Sequence, residues 1–411
     1  MEDPNPFNSR IFITHVKVEN FASIRECEVE LGWLTILTGP NAAGKSNFLK
    51  AIAFALSADP LRDRVQKLGG IDALLYRSGN QVADSFQIEL MFRRFHRNVP
   101  DGTAARYTLT VGRDRAGRPK LYEEIMDARG DWGDATFGFA AEPRAARNFL
   151  VFGEPLGPGP HLHGYLENID TPDLKDMVSC AHFYDLDSEV LRETDLSLPQ
   201  ERCDALGEKG EHLGHVLGRL AEGYPEVKAE IDDYLSIMIP NALGIDQKRQ
   251  GDYSEIEGRF RVEGSGSDEP VVEVFRSTSL SEGTLRLAGI LAALNQWCVQ
   301  QGHIKFLAIE EPEKALHPPK LGVLFEVLDS SSHMAQVLVT TQSPDLLDNK
   351  AAKPEHILAV ENVDGETVIT PLNEVTLALH RDKVASLTEL MRMGVMGPVR
   401  PDENSGHGGE A

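Results

Sequence analysis

The stretch "LTILTGPNAAGKSNFLKAIAFAL", Leu34 to Leu56, carries the clearest structural signal in the sequence. Apolar and β-branched residues from Leu34 to Thr38 predict a strand, and apolar residues at helical spacing follow from Lys45. Between them, Gly39 to Ser46 fits the pattern G-x-x-x-x-G-K-S in the strand, turn and helix context that this pattern requires. The stretch therefore predicts an α/β fold built around a phosphate loop, the name used below for Gly39–Ser46.

The residue types of this loop suit a nucleotide. Glycines let successive backbone N–H groups surround phosphate oxygens, and the helix N-terminus adds partial positive charge. Lys45 would reach the β- and γ-phosphates, and Ser46 would ligate Mg²⁺. The alternative is a glycine-rich turn that matches by chance, and the flanking strand and helix argue against it.

Composition sets the class of protein. The 411 residues are 41% hydrophobic, enough for a large core in two or three domains or in one domain with a large insertion. No uncharged apolar run reaches the ~18 residues of a membrane span, and the acidic start at Met1 is unlike a signal peptide. We expect a soluble cytoplasmic protein. The cysteines form no C-x-x-C pair, which predicts reduced thiols rather than disulfides or zinc: Cys27, Cys180, Cys203 and Cys298.

Charge is distributed unevenly along the chain. The formal net charge of −23 opposes indiscriminate binding to nucleic acid or anionic lipid. From Met91 to Lys120, however, eight basic residues outnumber two aspartates and give a net charge of +6: Arg93, Arg94, Arg97, Arg106, Arg113, Arg115, Arg118 and Lys120. This basic window either contacts DNA phosphates or forms solvated hairpin faces, with turns at Asp101-Gly102 and Ala116-Gly117.

A second motif is "FLAIEEPEKALHP", Phe306 to Pro318, which places two glutamates at the end of an apolar run. Adjacent carboxylates repel unless a cation meets them. Beside the phosphate loop, Glu310 would serve Mg²⁺ directly or through water, and Glu311 would act on the water that attacks the γ-phosphate. The alternative is an exposed Glu-Glu-Pro turn.

The third motif is the signature segment, "SLSEGTLRLAGILAAL", Ser279 to Leu294. Ser281 is a natural N-cap for the apolar helix that follows. In the other reading, Ser281 and the N–H groups around Gly283 contact the γ-phosphate of ATP held by a second subunit.

Four stretches in this order resemble ABC-type ATPases of the SMC and RecF kind: "VKVENFASIRECEVELGWLTILTGPNAAGKSNFLKAI", "LSEGT", "FLAIEEPEKALHP" and "VLVTTQSPDLL". The chain looks most similar to short bacterial relatives of the OLD-family and anti-phage defence AAA-type ATPases that lack a nuclease domain. The similarity covers residues 11–92 and 276–375. It implies an α/β fold, an ABC-type P-loop ATPase domain with a mixed sheet and an antiparallel lobe, split by a mixed α/β and helical insertion.

The domain limits follow from this resemblance. They are 1–92 for the first half of the ATPase domain, 93–275 for the insertion with basic hairpins and a helical lobe, 276–375 for the second half, and 376–411 for a C-terminal helix and disordered tail. Eleven prolines between Pro100 and Pro270 exclude a long coiled coil.

The resemblance also assigns site residues. Glu311 would be the general base or the residue that orients the attacking water, and Lys45 and Gln342 complete the catalytic set. The metal would lie on Ser46 and Glu310, and Glu310 stands where many relatives have an aspartate. Asn41 would help orient phosphate groups, and Ser281 and Gly283 would act in trans. The nucleotide-binding set is Gly39, Pro40, Asn41, Ala42, Ala43, Gly44, Lys45, Ser46, Asn47, Ser281, Glu282 and Gly283.

Three positions depart from the family pattern or fit it loosely. Gln342 stands where relatives usually have a switch histidine, and glutamine cannot take up charge, so hydrolysis is expected to be slow or partner-dependent. His317 is either a dimer-contacting residue or a packing residue beside Pro318. Gln81 is a guess for the glutamine that serves the metal in relatives.

The leading functional hypothesis is an ATP-binding and ATP-hydrolysing dimerisation switch, using ATP and Mg²⁺, that acts in DNA transactions or anti-phage defence. A nucleotide-binding cassette of a transporter is the alternative, but Ser281 lies 237 residues after Gly44, far more than a transport cassette would have. A small-molecule kinase would need neither the signature segment nor the paired glutamates.

The C-terminal region bears on the output of such a switch. After Leu372 only 39 residues remain, too few for a nuclease domain, so we expect the chain not to cut nucleic acid by itself and to control a separately encoded effector or nuclease. The apolar segment Val384–Pro398 is either a cap packed on the ATPase or a docking surface for that effector.

Overall fold

The computed structural model describes residues 9–57, 59–96, 99–129, 135–140, 149–151, 181–196, 205–263 and 271–398. The chain forms two compact units, which are described separately below. The first consists of residues up to Ala181 together with those from Lys353 onward, and the second runs from His182 to Ala352.

The strands, in chain order, are β1 (Ser9–Phe21), β2 (Ile24–Glu30), β3 (Leu34–Thr38), β4 (Arg77–Ser78), β5 (Gln81–Val82), β6 (Ser85–His96), β7 (Val99–Arg113), β8 (Pro119–Arg129), β9 (Ala135–Ala140), β10 (Phe149–Val151), β11 (Ala181–Tyr184), β12 (Asp195–Leu196), β13 (Ala242–Gln250), β14 (Tyr253–Val262), β15 (Val271–Arg276), β16 (Phe306–Glu310), β17 (Gln336–Thr341), β18 (Ile357–Val363) and β19 (Glu366–Pro371). The α-helices are α1 (Lys45–Leu56), α2 (Leu61–Lys67), α3 (Ile71–Leu74), α4 (Ser188–Leu191), α5 (Leu213–Gly223), α6 (Pro225–Met238), α7 (Glu282–Asn295), α8 (Trp297–Gln300), α9 (Leu321–Ser332), α10 (Glu374–Arg381) and α11 (Leu387–Arg392). Short 3₁₀ turns occupy Ser277–Ser279, Pro318–Lys320, Pro344–Leu347 and Pro354–His356.

The first unit contains a seven-stranded, mainly antiparallel sheet. Its strand order is β10-β9-β8-β7-β6-β1-β2, and only the β9–β10 pair is parallel. Phe21 and Phe86 on the sheet and Phe54 on α1 pack edge to face, with centroids 5.1 Å apart for Phe21–Phe86 and 5.3 Å for Phe54–Phe86. This aromatic cluster seats α1 on the sheet, and its burial supplies hydrophobic stabilisation.

In the same unit, the phosphate loop connects β3 to α1. Helix α1 packs on the sheet described above, and β3 belongs to a second set of strands. The fully buried β3 pairs in parallel with β18, which pairs antiparallel with β19. A strand buried on both faces reads as a continuous apolar run, as Leu34–Thr38 does. The predicted strand, loop and helix are therefore confirmed.

The basic window lies on β6, β7 and β8. The turn predicted at Ala116-Gly117 is confirmed, because Gly117 adopts a left-handed φ of 77° between β7 and β8. The turn predicted at Asp101-Gly102 is wrong, since both residues belong to β7. The ladder between β6 and β7 continues past them with a register shift between Arg93 and Phe95, so strand pairing overrides the local turn preference.

Two further features of the first unit bear on the predicted domains and cap. The boundary predicted between residues 92 and 93 falls inside β6, because the hairpins of the basic window extend the sheet that β1 and β2 begin. In the C-terminal segment, Leu387 and Leu390 are buried, and the Met391 sulfur accepts a hydrogen bond from the Thr38 hydroxyl at 3.1 Å. The segment is thus a cap packed behind the phosphate loop.

The second unit contains parallel strands and a small antiparallel sheet. Strands β16 and β17 are parallel and buried, β11 flanks β16, and α7 is buried almost all round. A separate sheet joins β13, β14 and β15, and α5 and α6 pack on β13. Helix α6 starts at Pro225, a residue that suits the first position of a helix because its φ is fixed and it needs no N–H donor there.

Within the described ranges the longest helices, α6 and α7, have 14 residues each, in agreement with the expected lack of a long coiled coil. In that same part of the chain, no helix has the length and apolar character to cross a membrane. Cys27 and Cys298 are buried free thiols, and burial raises the pKa of Cys27 to about 12. Cys180, Cys203, Arg97 and the C-terminal tail from residue 399 lie outside the described residues.

Candidate functional site

The backbone of the phosphate loop requires its two glycines. Gly44 has a φ of 103°, and a Cβ there would lie 1.9 Å from the Thr367 hydroxyl on β19. A Cβ on Gly39 would lie 2.0 Å from the Val360 carbonyl oxygen on β18. Any larger residue would push the loop off these strands. The glycines therefore serve close packing behind the loop as well as its sharp turn.

Lys45 places a positive charge at this loop. The side chain is buried, and its ammonium donates to the carbonyl oxygens of Gly39 at 2.7 Å and Pro40 at 2.9 Å. Helix α1 starts at Lys45 with no acidic residue in its first turn and no side-chain cap in the described structure. The positive end of a 12-residue helix and an ammonium thus converge on the loop, which fits a polyphosphate.

The remaining residues of the phosphate loop differ in their exposure to solvent. Pro40, Asn41 and Ala42 are exposed, whereas Ala43 is buried. The loop ends at Ser46, whose side chain is half-buried.

A polar network holds the start of α1 from behind. The Asn47 amide donates to the Ser23 hydroxyl at 2.7 Å, and that hydroxyl shares a hydrogen bond of 2.6 Å with Thr367. Thr367 N–H also donates to the Ser23 carbonyl oxygen at 2.8 Å. The side chain of Asn47, a residue predicted to bind nucleotide, is therefore hydrogen-bonded to the β1–β2 turn. Sequence reasoning missed Ser23 and Thr367.

In the second unit, the paired glutamates follow β16 as predicted. Glu310 ends the strand, and Glu311 adopts a left-handed φ of 43° while its N–H donates to the Thr340 carbonyl oxygen at 3.0 Å. Ala315 is also left-handed, with a φ of 64°. Each such residue costs ~1–2 kcal/mol, so the surrounding contacts must hold the glutamate loop, Glu311–Pro318, in place.

Arg286 on α7 supplies the main anchor for this loop. The guanidinium is buried and donates to the carbonyl oxygens of Lys314 at 3.1 Å, Glu311 at 3.4 Å and Leu186. At the start of the same helix, a Cβ on Gly283 would lie 2.5 Å from the Ala315 carbonyl oxygen. The signature segment and the glutamate loop are therefore packed directly against each other.

The N-cap reading of Ser281 is confirmed. Its hydroxyl accepts from Thr284 N–H at 3.1 Å and lies 2.8 Å from the Thr284 hydroxyl. Ser281 and Glu282 are exposed at the start of α7. Their predicted role toward the nucleotide of another subunit stays a prediction.

Glu313 is a buried carboxyl that sequence reasoning passed over. Its Oε1 accepts from the Thr341 hydroxyl at 2.6 Å and from Gln342 N–H at 3.1 Å. Its Oε2 is buried without a hydrogen-bond partner among the described residues. Burial raises the pKa of Glu313, and the nearby charge of Glu311 acts in the same direction.

The other predicted residues are surface groups. Gln342 follows β17 and His317 precedes the 3₁₀ turn at Pro318, and both are exposed. Gln81 is exposed in the β4–β5 hairpin, opposite Ser78.

The structure thus gathers the predicted residues in two groups. The first unit holds the phosphate loop with Asn47, and the second holds the glutamates, the signature segment and Gln342. No set of three His, Cys, Asp or Glu side chains in the described ranges could bind a metal alone. Mg²⁺ usually takes only one or two carboxylates besides substrate phosphates and water, so a site for an ion that arrives with nucleotide does not need such a set.

The burial of Glu313 predicts a pH-dependent effect of Glu313→Gln on stability. Because the pKa of this carboxyl is higher in the folded than in the unfolded chain, wild type loses stability as pH rises from the unfolded pKa of ~4.3 through the folded value. Glutamine has no proton to lose. The Tm of Glu313→Gln relative to wild type should therefore increase between pH 5 and pH 8, measured by thermal denaturation.

The matched control is Glu355→Gln, at an exposed glutamate. Its Tm relative to wild type should stay level over the same range. A Tm difference for Glu313→Gln that is constant with pH would show that the buried carboxyl does not titrate differently on folding.

Comparison with known proteins places the chain in a family. Residues 34–348 match the family described as "AAA domain, putative AbiEii toxin, Type IV TA system", and the chain belongs to this family of AAA-type ATPases. No curated protein matches the chain.

Several solved structures share the fold. One is an SMC head bound to the C-terminal winged-helix domain of ScpA, 13% identical with a TM-score of 0.55, covering 89% of this chain and 99% of that one. The SMC head of Pyrococcus furiosus with an extended coiled coil, bound to the C-terminal domain of ScpA, is 12% identical with a TM-score of 0.56, covering 91% and 99%. The SMC head of Pyrococcus yayanosii with a coiled coil and joint is 10% identical with a TM-score of 0.52, covering 91% and 100%.

These findings confirm the predicted fold class, an SMC-head-like P-loop ATPase fold of mixed α/β type. The family also implies nucleotide binding. The narrower grouping with OLD-related defence ATPases stays a prediction.

Proposed function

We propose that the chain binds and hydrolyses ATP and acts as an ATP-dependent dimerisation switch. The main support is the phosphate loop, where the ammonium of the buried Lys45 and the N-terminus of α1 meet beside a tight turn that accommodates only glycine at Gly39 and Gly44. The AAA family and the SMC-head fold support the same function and favour it over a transport cassette.

Each residue has a role in this proposal. Lys45 and the loop N–H groups bind the phosphates, and Ser46 and Glu310 hold Mg²⁺, which would offset the charge that develops on the transferred phosphoryl group. Glu311 accepts a proton from the attacking water. Gln342 orients that water by hydrogen bonding, and because it cannot carry charge, turnover is slow or depends on a partner.

Dimerisation would bring the signature segment of one subunit to the nucleotide of another. The support is the start of α7, where Ser281 and Glu282 are exposed at a helix N-terminus, with His317 exposed on the adjoining glutamate loop.

The direct test is phosphate release from ATP by the purified chain with Mg²⁺. We expect slow but measurable turnover that stops when Mg²⁺ is chelated. A chain that neither binds nor hydrolyses ATP would overturn the proposal.

We propose further that the switch works in the cytoplasm and controls a separately encoded effector or nuclease in DNA transactions or anti-phage defence. The family description, which names a toxin system, and the SMC heads solved with ScpA domains support a protein partner. Because Leu387, Leu390 and Met391 are engaged in the cap, an effector would meet exposed residues such as Met393, which is 66% exposed.

The basic window is the proposed DNA contact, and the structure indicates which cations to test. Arg113 pairs with Asp72 at 3.0 Å, and Arg118 pairs with Asp114 at 2.9 Å. Arg115, in the β7–β8 turn, and Lys120, on β8, are exposed. Pairing with carboxylates lowers what an arginine gains from a DNA phosphate.

The double reversal Arg115→Glu with Lys120→Glu is expected to weaken DNA binding about tenfold and to reduce the salt dependence by about two counterions, measured by fluorescence anisotropy over a salt series. The control, Lys350→Glu with Lys353→Glu, makes the same charge change at exposed lysines elsewhere. Equal losses in the two variants, or unchanged affinity, would assign the window to solvated hairpin faces.

A further inference from the structure

The buried carboxyl of Glu313 joins two segments that the proposed hydrolysis needs. It lies two residues after Glu311, and its Oε1 receives hydrogen bonds from Thr341 and from Gln342 N–H at the end of β17. One oxygen atom thus connects the glutamate loop to the residue at the switch position.

The turn Thr341–Ser343, at the end of β17, is closed by hydrogen bonds. The Thr341 hydroxyl donates to Glu313 and accepts from Ser343 N–H at 3.0 Å. Gln342 N–H donates to the same carboxylate oxygen at 3.1 Å. Side-chain hydrogen bonds from Glu313 and Thr341 therefore hold the backbone on both sides of Gln342, while the Gln342 side chain is exposed.

Hydrogen bonds also hold the glutamate loop, at the other end of this connection. Leu316 N–H donates to the Glu313 carbonyl oxygen at 3.0 Å, and Arg286 holds the carbonyl oxygens of Glu311 and Lys314. The positions of Glu311 and Gln342 are consequently coupled through the Glu313 side chain, in addition to the hydrogen bond from Glu311 N–H to the Thr340 carbonyl oxygen.

We propose that Glu313 is a positioning residue for ATP hydrolysis, which sets the backbone of Gln342 relative to Glu311. The inference rests on the proposed function. A buried carboxyl whose Oε2 has no partner in the described part of the chain is a costly way to hold two loops for stability alone, since a well-packed apolar side chain would cost less. A rigid link of this kind would hold Glu311 and Gln342 in the correct positions relative to one water molecule.

The test separates positioning from folding by using paired variants at both ends of the link. Glu313→Ala and Thr341→Val each remove the hydrogen bond between the side chains, whereas Glu313→Gln keeps an acceptor oxygen and Thr341→Ser keeps the hydroxyl. The readouts are kcat and KM for ATP, and Kd for a non-hydrolysable ATP analogue by calorimetry.

Glu313→Ala and Thr341→Val are expected to lower kcat roughly 10- to 100-fold, the range that a small misplacement of catalytic groups causes, with the analogue Kd within about twofold of wild type. Glu313→Gln and Thr341→Ser should stay within about threefold of the wild-type kcat. Combining Glu313→Ala with Thr341→Val should lower kcat little further, because both remove the same link.

Contrary outcomes are distinct. Unchanged kcat in Thr341→Val and Glu313→Ala, with wild type active, would overturn the positioning role and leave the proposed function intact. Equal loss in Thr341→Ser and Thr341→Val would do the same, as would a loss of analogue affinity that matches the loss of kcat. If Glu313→Ala fails to fold, the Thr341 pair decides. A wild-type chain without ATPase activity would overturn the proposed function and this inference with it.

Discussion

Lys45→Ala is expected to abolish measurable ATP binding. Lys45 is buried at the start of α1, with its ammonium on the carbonyl oxygens of Gly39 and Pro40, where phosphate oxygens would bind. A hydrogen bond to a charged group contributes up to ~3 kcal/mol, so its loss lowers affinity about 100-fold, before the lost ordering of the loop is counted. Titration with a fluorescent ATP analogue measures the effect.

Two variants make this result specific. Lys45→Met keeps the length and packing of the side chain without its charge, and it should lose affinity as Lys45→Ala does while keeping the wild-type Tm. Lys50→Ala removes an exposed lysine one and a half turns along the same helix and should bind ATP normally. Full affinity in Lys45→Met would show that the loop does not hold phosphate.

Glu311→Gln is expected to bind ATP with near wild-type affinity and to lose hydrolysis by about 100- to 10,000-fold, the usual contribution of a general base. Glutamine preserves the shape of the side chain and the backbone bonds to Thr340, so the left-handed loop should fold as in wild type. Single-turnover phosphate release and analogue binding, measured side by side, separate the two effects.

The control for this variant is Glu374→Gln, at an exposed glutamate on α10. It should hydrolyse ATP at the wild-type rate. Hydrolysis by Glu311→Gln at the wild-type rate would remove Glu311 from the chemistry, and a loss of binding equal to the loss of hydrolysis would give it a role in holding nucleotide instead.

Much of the fold was predictable because its signals are local. The strand, loop and helix from Leu34 to Leu56 are encoded by adjacent residues, and so are the N-cap at Ser281 and the helix start at Pro225. The predicted turn at Asp101-Gly102 failed because a ladder formed by residues of β6 outweighed a two-residue preference.

The supports of the candidate site were not predictable in this way. Ser23 and Thr367 meet behind the phosphate loop from positions 344 residues apart, and no short pattern marks such a pair. Glu313 is the third acidic residue in a motif whose first two drew attention, and only its burial and its bonds to Thr341 and Gln342 distinguish it from a solvated charge. Gln81 was a guess without a matching pattern and is exposed in the β4–β5 hairpin, whereas the exposed His317 keeps its predicted role as a dimer contact open.

The most direct measurement of the switch is the mass of the Glu311→Gln chain in solution with and without MgATP, determined by light scattering. We predict a monomer without nucleotide and a dimer with MgATP, because binding without hydrolysis should hold the signature segment of one subunit on the nucleotide of the other. Adding Lys45→Ala to the same chain should return it to the monomer. A mass that does not change with MgATP, in a chain shown to bind it, would contradict the account.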